Sequence, residues 1–313
     1  MELHILIDNQ PHQCNTDIAY EHGLSVYFSS DGKNYLADTG ASGKFMHNME
    51  LLKGQGICTP AEVDHVIISH GHNDHTGGLR KFLEENTNAD VYLHNSIQGN
   101  YFYSCRPKNG IREARNIGME QALFIDFPHR FIQLDEPFAL SEKVIILPVY
   151  GEKKYPTPMG NGFLYKNDFP DDFSHEIATL VEYSPHCWAV ISPCTHNGIL
   201  NVLECCSDYL RNSKGLSGRE NIGYFVGGLH YVDYLKIPEK EDAAEKEAAS
   251  IAETASSILE LYPDLKIFSG HCTCQGASEL LKKILGNNYC TFYSGSTISF
   301  IPNLGTKCTP SLR

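Results

Sequence analysis

The sequence lacks any apolar run long enough to cross a membrane, and it is short of basic residues. No stretch of its 313 residues approaches the roughly 18–20 consecutive apolar residues that a membrane-spanning helix needs. Lysine and arginine number 25 against 38 acidic residues, which gives a formal net charge of −13 at pH 7. Such a charge repels phosphate backbones and anionic lipid. We therefore expect no nucleic-acid or membrane partner, and a small molecule as the substrate.

The features of an exported protein are also missing. Residues 1–8 have no basic start followed by a long apolar run, which signal peptides have. The 11 cysteines are odd in number, and Cys205 and Cys206 are adjacent, a pattern that suits reduced thiols better than a disulfide framework. We therefore expect a cytoplasmic protein. The sequence leaves its oligomeric state open.

No repeat, linker or low-complexity tract divides the chain. Short β-branched runs, such as residues 65–69, alternate with helical segments, such as the alanine-rich residues 243–261. This alternation predicts one α/β domain over residues 1–313, with its sheets covered by helices. Residues 98–135 show no regular pattern, and we interpret them as a lid or insertion over a site.

Histidine, in contrast, is abundant, with 15 residues. His70, His72, Asp74 and His75 fall within six residues, directly after a predicted buried strand. Imidazole nitrogens and carboxylate oxygens are ligands of zinc and similar divalent ions. The first two histidines can converge on one ion, while Asp74 and His75 turn toward a second position beside it. Glycines in the same segment permit the sharp backbone path that this requires.

The motif His70-x-His72-x-Asp74-His75 resembles the signature of the metallo-β-lactamase superfamily. Further motifs stand in the order of that family: Asp38-Thr39-Gly40, Cys194-Thr195-His196 and His271-Cys272-Thr273. The resemblance implies a four-layer αββα sandwich with metals at one edge of the two sheets. The chain is also similar to the subgroup of metal-dependent hydrolases named for 7,8-dihydropterin-6-yl-methyl-4-(β-D-ribofuranosyl)aminobenzene 5′-phosphate synthase. Two more motifs carry this narrower resemblance: Glu21-His22-Gly23 and Gly227-Gly228-Leu229-His230.

The resemblance implies a metal site with two groups of ligands. Carried over onto this sequence, the groups are His70, His72 and His196 for the first metal, and Asp74, His75 and His271 for the second. The expected cofactor is zinc, in one or two copies, with manganese, iron and magnesium as alternatives. The sequence departs from the family in lacking a Gly-Asp motif that would supply a bridging carboxylate. Cys194 and Thr195 are the candidates for that place.

Two further side chains are expected next to the ligands. A buried carboxylate must be paired, so we expect Asp38 to accept a hydrogen bond from a ligand histidine and to fix its orientation. The alternative is a turn aspartate that caps the following segment. His230 is a candidate to contact substrate or supply a proton, against a plain packing role.

Substrate contacts are assigned to His22, Tyr103, Arg106 and Lys108. The last two belong to the one basic cluster of the chain, which is completed by Arg112 and Arg115. Guanidinium groups match phosphate oxygens, so this cluster could clamp a phosphate, with a solvated face as the alternative. Glu176 is left open between a place at the site and a surface pair, and Cys272 and Cys274 have at most a supporting role.

Three function hypotheses use this site. The first is a hydrolase in which a metal-activated water, oriented by Asp74, attacks a small and phosphorylated substrate, with solvent, Asp74 or His230 as proton donor. The second is a transferase that joins a dihydropterin methyl pyrophosphate to an aromatic acceptor. The third is a non-catalytic metal-binding or sensor protein. Three protein ligands per metal leave open positions, which favours an enzyme.

Overall fold

Two large β-sheets face each other in the computed structural model, which describes residues 1–105, 113–149, 151–233 and 241–301. Its strands are β1 (Glu2–Ile7), β2 (Ser25–Ser30), β3 (Lys33–Ala37), β4 (His65–Ile67), β5 (Asp90–His94), β6 (Tyr101–Cys105), β7 (Glu113–Asn116), β8 (Phe131–Leu134), β9 (Phe138–Ala139), β10 (Val144–Pro148), β11 (Leu164–Lys166), β12 (Phe169–Pro170), β13 (Ile177–Ser184), β14 (Cys187–Ile191), β15 (Ile222–Val226), β16 (Lys266–Ser269), β17 (Tyr289–Thr291) and β18 (Thr297–Ser299). Its α-helices are α1 (Lys44–Leu51), α2 (Asn73–Thr76), α3 (Leu79–Glu85), α4 (Leu123–Asp126), α5 (Ile199–Lys214), α6 (Glu241–Leu261) and α7 (Gln275–Leu285). Within these ranges no helix has the length and apolar character needed to span a membrane.

Each large sheet combines antiparallel and parallel strands. The first sheet has the order β18-β1-β2-β3-β4-β5-β8, and the second has the order β17-β16-β15-β14-β13-β10-β9. Strands β3, β4, β5 and β8 are mutually parallel, and so are β14 to β17. Parallel neighbours need crossover connections, which helices supply on the outer faces of the sheets.

Side-chain alternation along the strands builds the layers. In β10, Val144 and Ile146 pack into the core between the two sheets, whereas Ile145 and Leu147 pack outward with residues of α5, α6 and α7. On the outer face of the first sheet, Phe45 of α1 and Phe82 of α3 close a third core. The result is the four-layer αββα sandwich that the resemblance implies.

The hairpin between β2 and β3 follows from its turn residues. Asp31 and Gly32 have φ values of 50° and 73°, the left-handed conformations that a two-residue type I′ turn requires. Glycine adopts this conformation without strain, and aspartate tolerates it better than most residues do. The Asp31-Gly32 pair therefore accounts for the tight turn between the two strands.

A small four-stranded sheet lies over the site, in the order β12-β11-β6-β7. Its own core is formed by four side chains, Tyr101, Ile117, Leu164 and Phe173. Only part of the segment interpreted as a lid, residues 98–135, belongs to this sheet. Strand β8 instead pairs with β5 at the edge of the first large sheet, and its Leu134 packs between the two large sheets. The interpretation therefore extends too far toward the C-terminus.

Candidate metal centre

The ends of parallel strands bring the candidate ligands together. Carboxyl ends of parallel strands meet at the same edge of a sheet, where ligand sites of α/β folds are placed. Each candidate follows such a strand: Asp38 follows β3, residues 69–75 follow β4, Cys194 and His196 follow β14, His230 follows β15, and His271 follows β16. Side chains far apart in sequence, such as His75 and His271 with 196 residues between their positions, therefore share one edge of the sandwich.

The first group of ligands converges on one point. His70 Nε2 lies 3.1 Å from His72 Nδ1 and 3.2 Å from His196 Nε2. All three side chains are buried. Burial lowers the pKa of His70 and His196 well below the ordinary value and lowers that of His72 to about 3. The three imidazoles are therefore neutral, as metal ligands must be.

Hydrogen-bond partners decide which nitrogen of each ring is free. Ser69 Oγ donates to Asp38 Oδ2 at 2.6 Å, so it accepts the proton of His70 Nδ1 at 2.8 Å. Asn161 Nδ2 donates to the His196 carbonyl oxygen, so Asn161 Oδ1 is the atom that faces the His196 ring. His196 Nδ1 therefore donates to Asn161 Oδ1 at 3.0 Å. The Nε2 lone pairs of His70 and His196 therefore face each other across 3.2 Å with no proton between them. A cation between them removes this repulsion.

The second group lies beside the first. His75 Nε2 is 3.0 Å from His271 Nε2, and Asp74 Oδ2 is 3.4 Å from His271 Nε2 and 3.8 Å from His75 Nε2. His75 Nδ1 donates to Asp38 Oδ2 at 2.6 Å, which leaves Nε2 as its free lone pair. Burial opposes ionisation of Asp74, but His75 and His271 hold its pKa well below the ordinary value. Two imidazoles and a carboxylate thus surround a single position.

His271 differs from the other ligands in its charge. Burial by itself would lower its pKa, but the neighbouring Cys272 thiolate and Asp74 outweigh burial and raise the pKa to about 9. Without a metal this position therefore holds a proton near His75. A divalent cation would replace that proton, so metal uptake here is coupled to proton release.

The residues fit a pair of divalent ions. Imidazole and carboxylate are the donor types that zinc prefers, and each group offers three of them. His70, His72 and His196 would hold one ion, and Asp74, His75 and His271 would hold the other.

The backbone is held in an uncommon conformation at the site. Asp38, Thr195, His230 and His271 have φ values of 59°, 47°, 51° and 52°, in the left-handed region. Each lies in a loop just beyond the end of a strand, where the chain reverses and directs its side chain toward the edge. Such conformations cost about 1–3 kcal/mol each and cluster at functional sites.

Close packing explains two glycines of the motif. A Cβ on Gly71 would lie 2.4 Å from the ring of Tyr101, and a Cβ on Gly78 would lie 2.3 Å from the Thr39 carbonyl oxygen. Both distances are far inside van der Waals contact. The ligand loop therefore packs directly against the small sheet on one side and against the loop of Asp38 on the other.

A cavity of about 470 Å³ opens above the ligands. His72, Asp74 and His271 form part of its lining, and Tyr103 and Arg115 form another part. The Arg115 guanidinium carbon lies 5.9 Å from the centre of the Tyr103 ring. The cavity thus combines a floor of candidate metal ligands with an aromatic and cationic wall.

Of the residues predicted to contact substrate or to transfer a proton, His22 and His230 both lie at the cavity. His22 has a side chain that is 67% exposed, and its Nε2 lies 3.4 Å from Asp74 Oδ2. His230 lines the cavity with its ring centre 4.1 Å from that of His196. Arg106, Lys108 and Arg112 lie outside the described residues, so Arg115 represents the basic cluster at the cavity.

Glu176 lies neither at the site nor in a surface pair, the two positions considered for it from the sequence. It is buried beneath the loop of His196, where Oε1 accepts the His196 backbone N–H at 2.7 Å and Oε2 accepts that of Asn197 at 2.9 Å. Burial raises its pKa. Its role is to hold the loop that carries His196.

Sequence reasoning missed three residues that position the ligands. Asn161 and Asn9 accept the Nδ1 protons of His196 and His271, at 3.0 Å and 3.1 Å. His175 Nδ1 accepts the Gly71 backbone N–H at 3.3 Å. Single asparagines in loops carry no pattern that distinguishes them. Only the position of His175 directly before a strand on the same edge offered a signal.

Fold and site together define a class, and the chain is a metallo-β-lactamase-fold protein. Residues 21–99 match the family model of the metallo-beta-lactamase superfamily. The chain superposes on the solved structure of a metal-dependent hydrolase of the beta-lactamase superfamily with a TM-score of 0.66. The two are 23% identical, and the match covers 96% of this chain and 99% of the other. These findings confirm the resemblance and the fold.

Curated proteins extend the comparison. The chain is 24% identical over 303 residues to 7,8-dihydropterin-6-methyl-4-(β-D-ribofuranosyl)-aminobenzene-5′-phosphate synthase of Methanocaldococcus jannaschii, a match that covers 91% of this chain and 92% of that protein. It is 29% identical over 101 residues to metallo-beta-lactamase domain-containing protein 1 of Xenopus laevis, which covers 32% of this chain and 41% of that protein. The narrower resemblance to the synthase subgroup thus extends over nearly the whole chain.

Proposed function

We propose that the protein is a metal-dependent hydrolase that acts on a small, phosphorylated molecule. The observation that carries the proposal is the pair of ligand groups at the floor of one cavity, with unprotonated nitrogens of His70 and His196 facing each other across 3.2 Å. A purely structural zinc site is closed by four protein ligands. Three ligands at each position leave room for water and substrate.

When bound, a divalent metal supplies a water of lowered pKa and polarises a substrate oxygen. Asp74 is ionised at neutral pH and faces the cavity, so its carboxylate orients that water and accepts a proton from it. His230 stands on the cavity wall beyond His196, where its imidazole donates a proton to the leaving group. His22, close to Asp74, borders the opening of the cavity.

The far wall of the cavity supports a phosphorylated substrate with a flat ring. Arg115 is the described member of the basic cluster and lies against the Tyr103 ring. A guanidinium binds phosphate oxygens in a bidentate manner, and a tyrosine ring stacks on a planar group. A substrate that spans the cavity would place its phosphate at Arg115 and its reacting centre over the ligands.

A transferase is the second candidate, because the match to the synthase of Methanocaldococcus jannaschii covers about nine-tenths of both chains. In this reading a dihydropterin methyl pyrophosphate gives up pyrophosphate while an aromatic nucleophile attacks its methylene carbon. The same ligand groups would hold the leaving pyrophosphate, and Tyr103 and Arg115 would bind the acceptor.

One experiment separates the two candidates. Zinc- and manganese-loaded protein is incubated with a panel of phosphodiesters, thioesters and lactones, and separately with a dihydropterin methyl pyrophosphate with and without an aromatic acceptor. Hydrolysis of a panel member without acceptor supports the hydrolase, whereas turnover that strictly requires the acceptor supports the transferase. His72→Ala should abolish either activity, and His129→Ala, at an exposed histidine, should retain it. Full activity of His72→Ala would contradict the site.

A further inference from the structure

Cys194 lies between the two ligand groups. Its Sγ, with ligand atoms of His70 and His196, forms a cluster in which all atoms lie within 4.8 Å of one another. It forms a second such cluster with ligand atoms of His75 and His271. Neither cluster contains a carboxylate, and the cysteine is 3% exposed. One buried sulfur atom is therefore common to both positions.

The distances suit a shared ligand. Zinc binds thiolate sulfur at about 2.3 Å and imidazole nitrogen at about 2.0–2.1 Å, so two such neighbouring ligands on one ion lie about 3.6 Å apart. In both clusters the sulfur and nitrogen atoms already lie within 4.8 Å of one another, so a small adjustment brings them to that separation. Thr195, the other candidate for this place, is turned away, because its Oγ1 donates to the Gly228 carbonyl at 2.8 Å.

A second anionic ligand would also offset the positive charge of two divalent ions. Among the six ligand residues only Asp74 is anionic, and Asp38 supports them from behind through His75. Two divalent ions in a buried site would retain a large uncompensated charge, which is costly at low dielectric. Asp208, one of the carboxylates between His196 and His271 in sequence, pairs with Arg211 at 2.8 Å on the surface of α5.

From these observations we propose that the Cys194 thiolate is the ligand shared by the two metals, in the place where the family has a bridging carboxylate. The inference rests on the proposed function, since it requires metals at both positions. With Cys194 shared, each ion would have four protein ligands, and water or substrate would bind as a fifth ligand, a coordination number that catalytic zinc can adopt. Two sulfur–metal bonds form, the S–H bond breaks, and the proton passes to solvent. A metal-coordinated thiol loses its proton outright.

Cys272 is the neighbour that a test must distinguish. Its Sγ lies 3.1 Å from Cys194 Sγ, and it forms a cluster with Cys194 and His230 that contains none of the six ligands. Neither cysteine is in a disulfide. Reduced protein is therefore required, so that no disulfide removes Cys194 from the metals.

The test compares reduced wild-type protein with Cys194→Ser, Cys194→Asp and Cys272→Ser, each loaded with Co²⁺. Bound cobalt is counted by elemental analysis, and thiolate ligation is read from the sulfur-to-cobalt charge-transfer absorption in the near ultraviolet. We expect wild type and Cys272→Ser to bind about two cobalt ions and show the band. Cys194→Ser should lose the band and about one ion, and Cys194→Asp should recover the second ion without the band. Circular dichroism of each variant verifies the fold.

The outcomes separate this inference from the proposed function. If wild type binds two cobalt ions without a charge-transfer band, Cys194 is not a ligand, whereas the metal enzyme stands. A band that persists in Cys194→Ser and disappears in Cys272→Ser overturns the assignment in favour of Cys272. If folded wild type takes up no cobalt, both the proposed function and this inference fail.

Discussion

Replacing Asp38 by asparagine should weaken metal binding without touching a metal ligand. The Asp38 carboxylate is completely buried and accepts three hydrogen bonds, from His75 Nδ1 at 2.6 Å, Ser69 Oγ at 2.6 Å and Ser69 N at 2.7 Å. An amide has a single acceptor atom. In one orientation its NH₂ group opposes the Ser69 backbone N–H. In the other orientation the NH₂ group faces the His75 Nδ1–H, so two donors meet. The His75 proton then shifts to Nε2, the nitrogen that would face the metal.

The magnitude follows from the contacts that are lost. A hydrogen bond to a charged group contributes about 1.5–3 kcal/mol, so the metal-free variant should lose about that much of its free energy of unfolding. Loss of a carboxylate behind a metal-binding histidine lowers metal affinity about 10–100-fold. The larger effect is expected at the position of His75 and His271, because Asp38 contacts His75 directly.

The assay is a zinc titration against a competing chromophoric chelator, with urea unfolding of the metal-free protein in parallel. Asp31→Asn is the matched control, because it removes the same charge at another aspartate of positive φ, in the exposed β2–β3 turn. That variant should bind zinc as wild type does, since Asn-Gly is a preferred type I′ turn sequence. A zinc affinity of Asp38→Asn within about twofold of wild type would refute the reasoning, whatever its stability.

Three further changes test other parts of the account. Gly78→Ala should lower the free energy of unfolding by about 3 kcal/mol, because its Cβ would overlap the Thr39 carbonyl oxygen. The control Gly276→Ala in α7 has open space around the new Cβ and should be neutral or slightly stabilising. Urea unfolding of both variants measures the difference. Burial raises the pKa of Glu247 to about 7, so the folded protein holds this proton more tightly than the unfolded chain, and the contribution of Glu247 to stability should fall as pH rises from about 4.5 to 7. Glu247→Gln should therefore stabilise the protein more at pH 8 than at pH 5, and an equal effect at both values, or the same trend in the exposed control Glu253→Gln, would contradict this. Metal removal by a chelator should lower the melting temperature, because zinc at about 100 times its dissociation constant stabilises the fold by about 2.7 kcal/mol; identical melting curves would mean that no metal binds the folded state.

The contiguous part of the site could be predicted from the sequence, because its geometry is local. His70, His72, Asp74 and His75 follow one strand, and the loop after a strand places such side chains together. The αββα layers followed from the family resemblance, and the alternation of residues along β10 shows the physical basis of that arrangement.

The supporting residues could not be predicted, because each acts through one hydrogen bond across a large sequence distance. Asn9 meets His271 across 262 residues, and Asn161 meets His196 across 35. The small sheet was missed for a similar reason. Its strands have two to five residues, and β6 pairs with β11 about 60 residues away, so no segment shows enough alternation to be read alone.

The central claim is that two divalent ions bind side by side at the edge of the sandwich. The most direct measurement is anomalous diffraction at the zinc edge from crystals of the zinc-loaded protein. The account predicts two adjacent peaks, one among His70, His72 and His196, and the other among Asp74, His75 and His271. The absence of a peak at this edge, or zinc bound only elsewhere on the molecule, would contradict it.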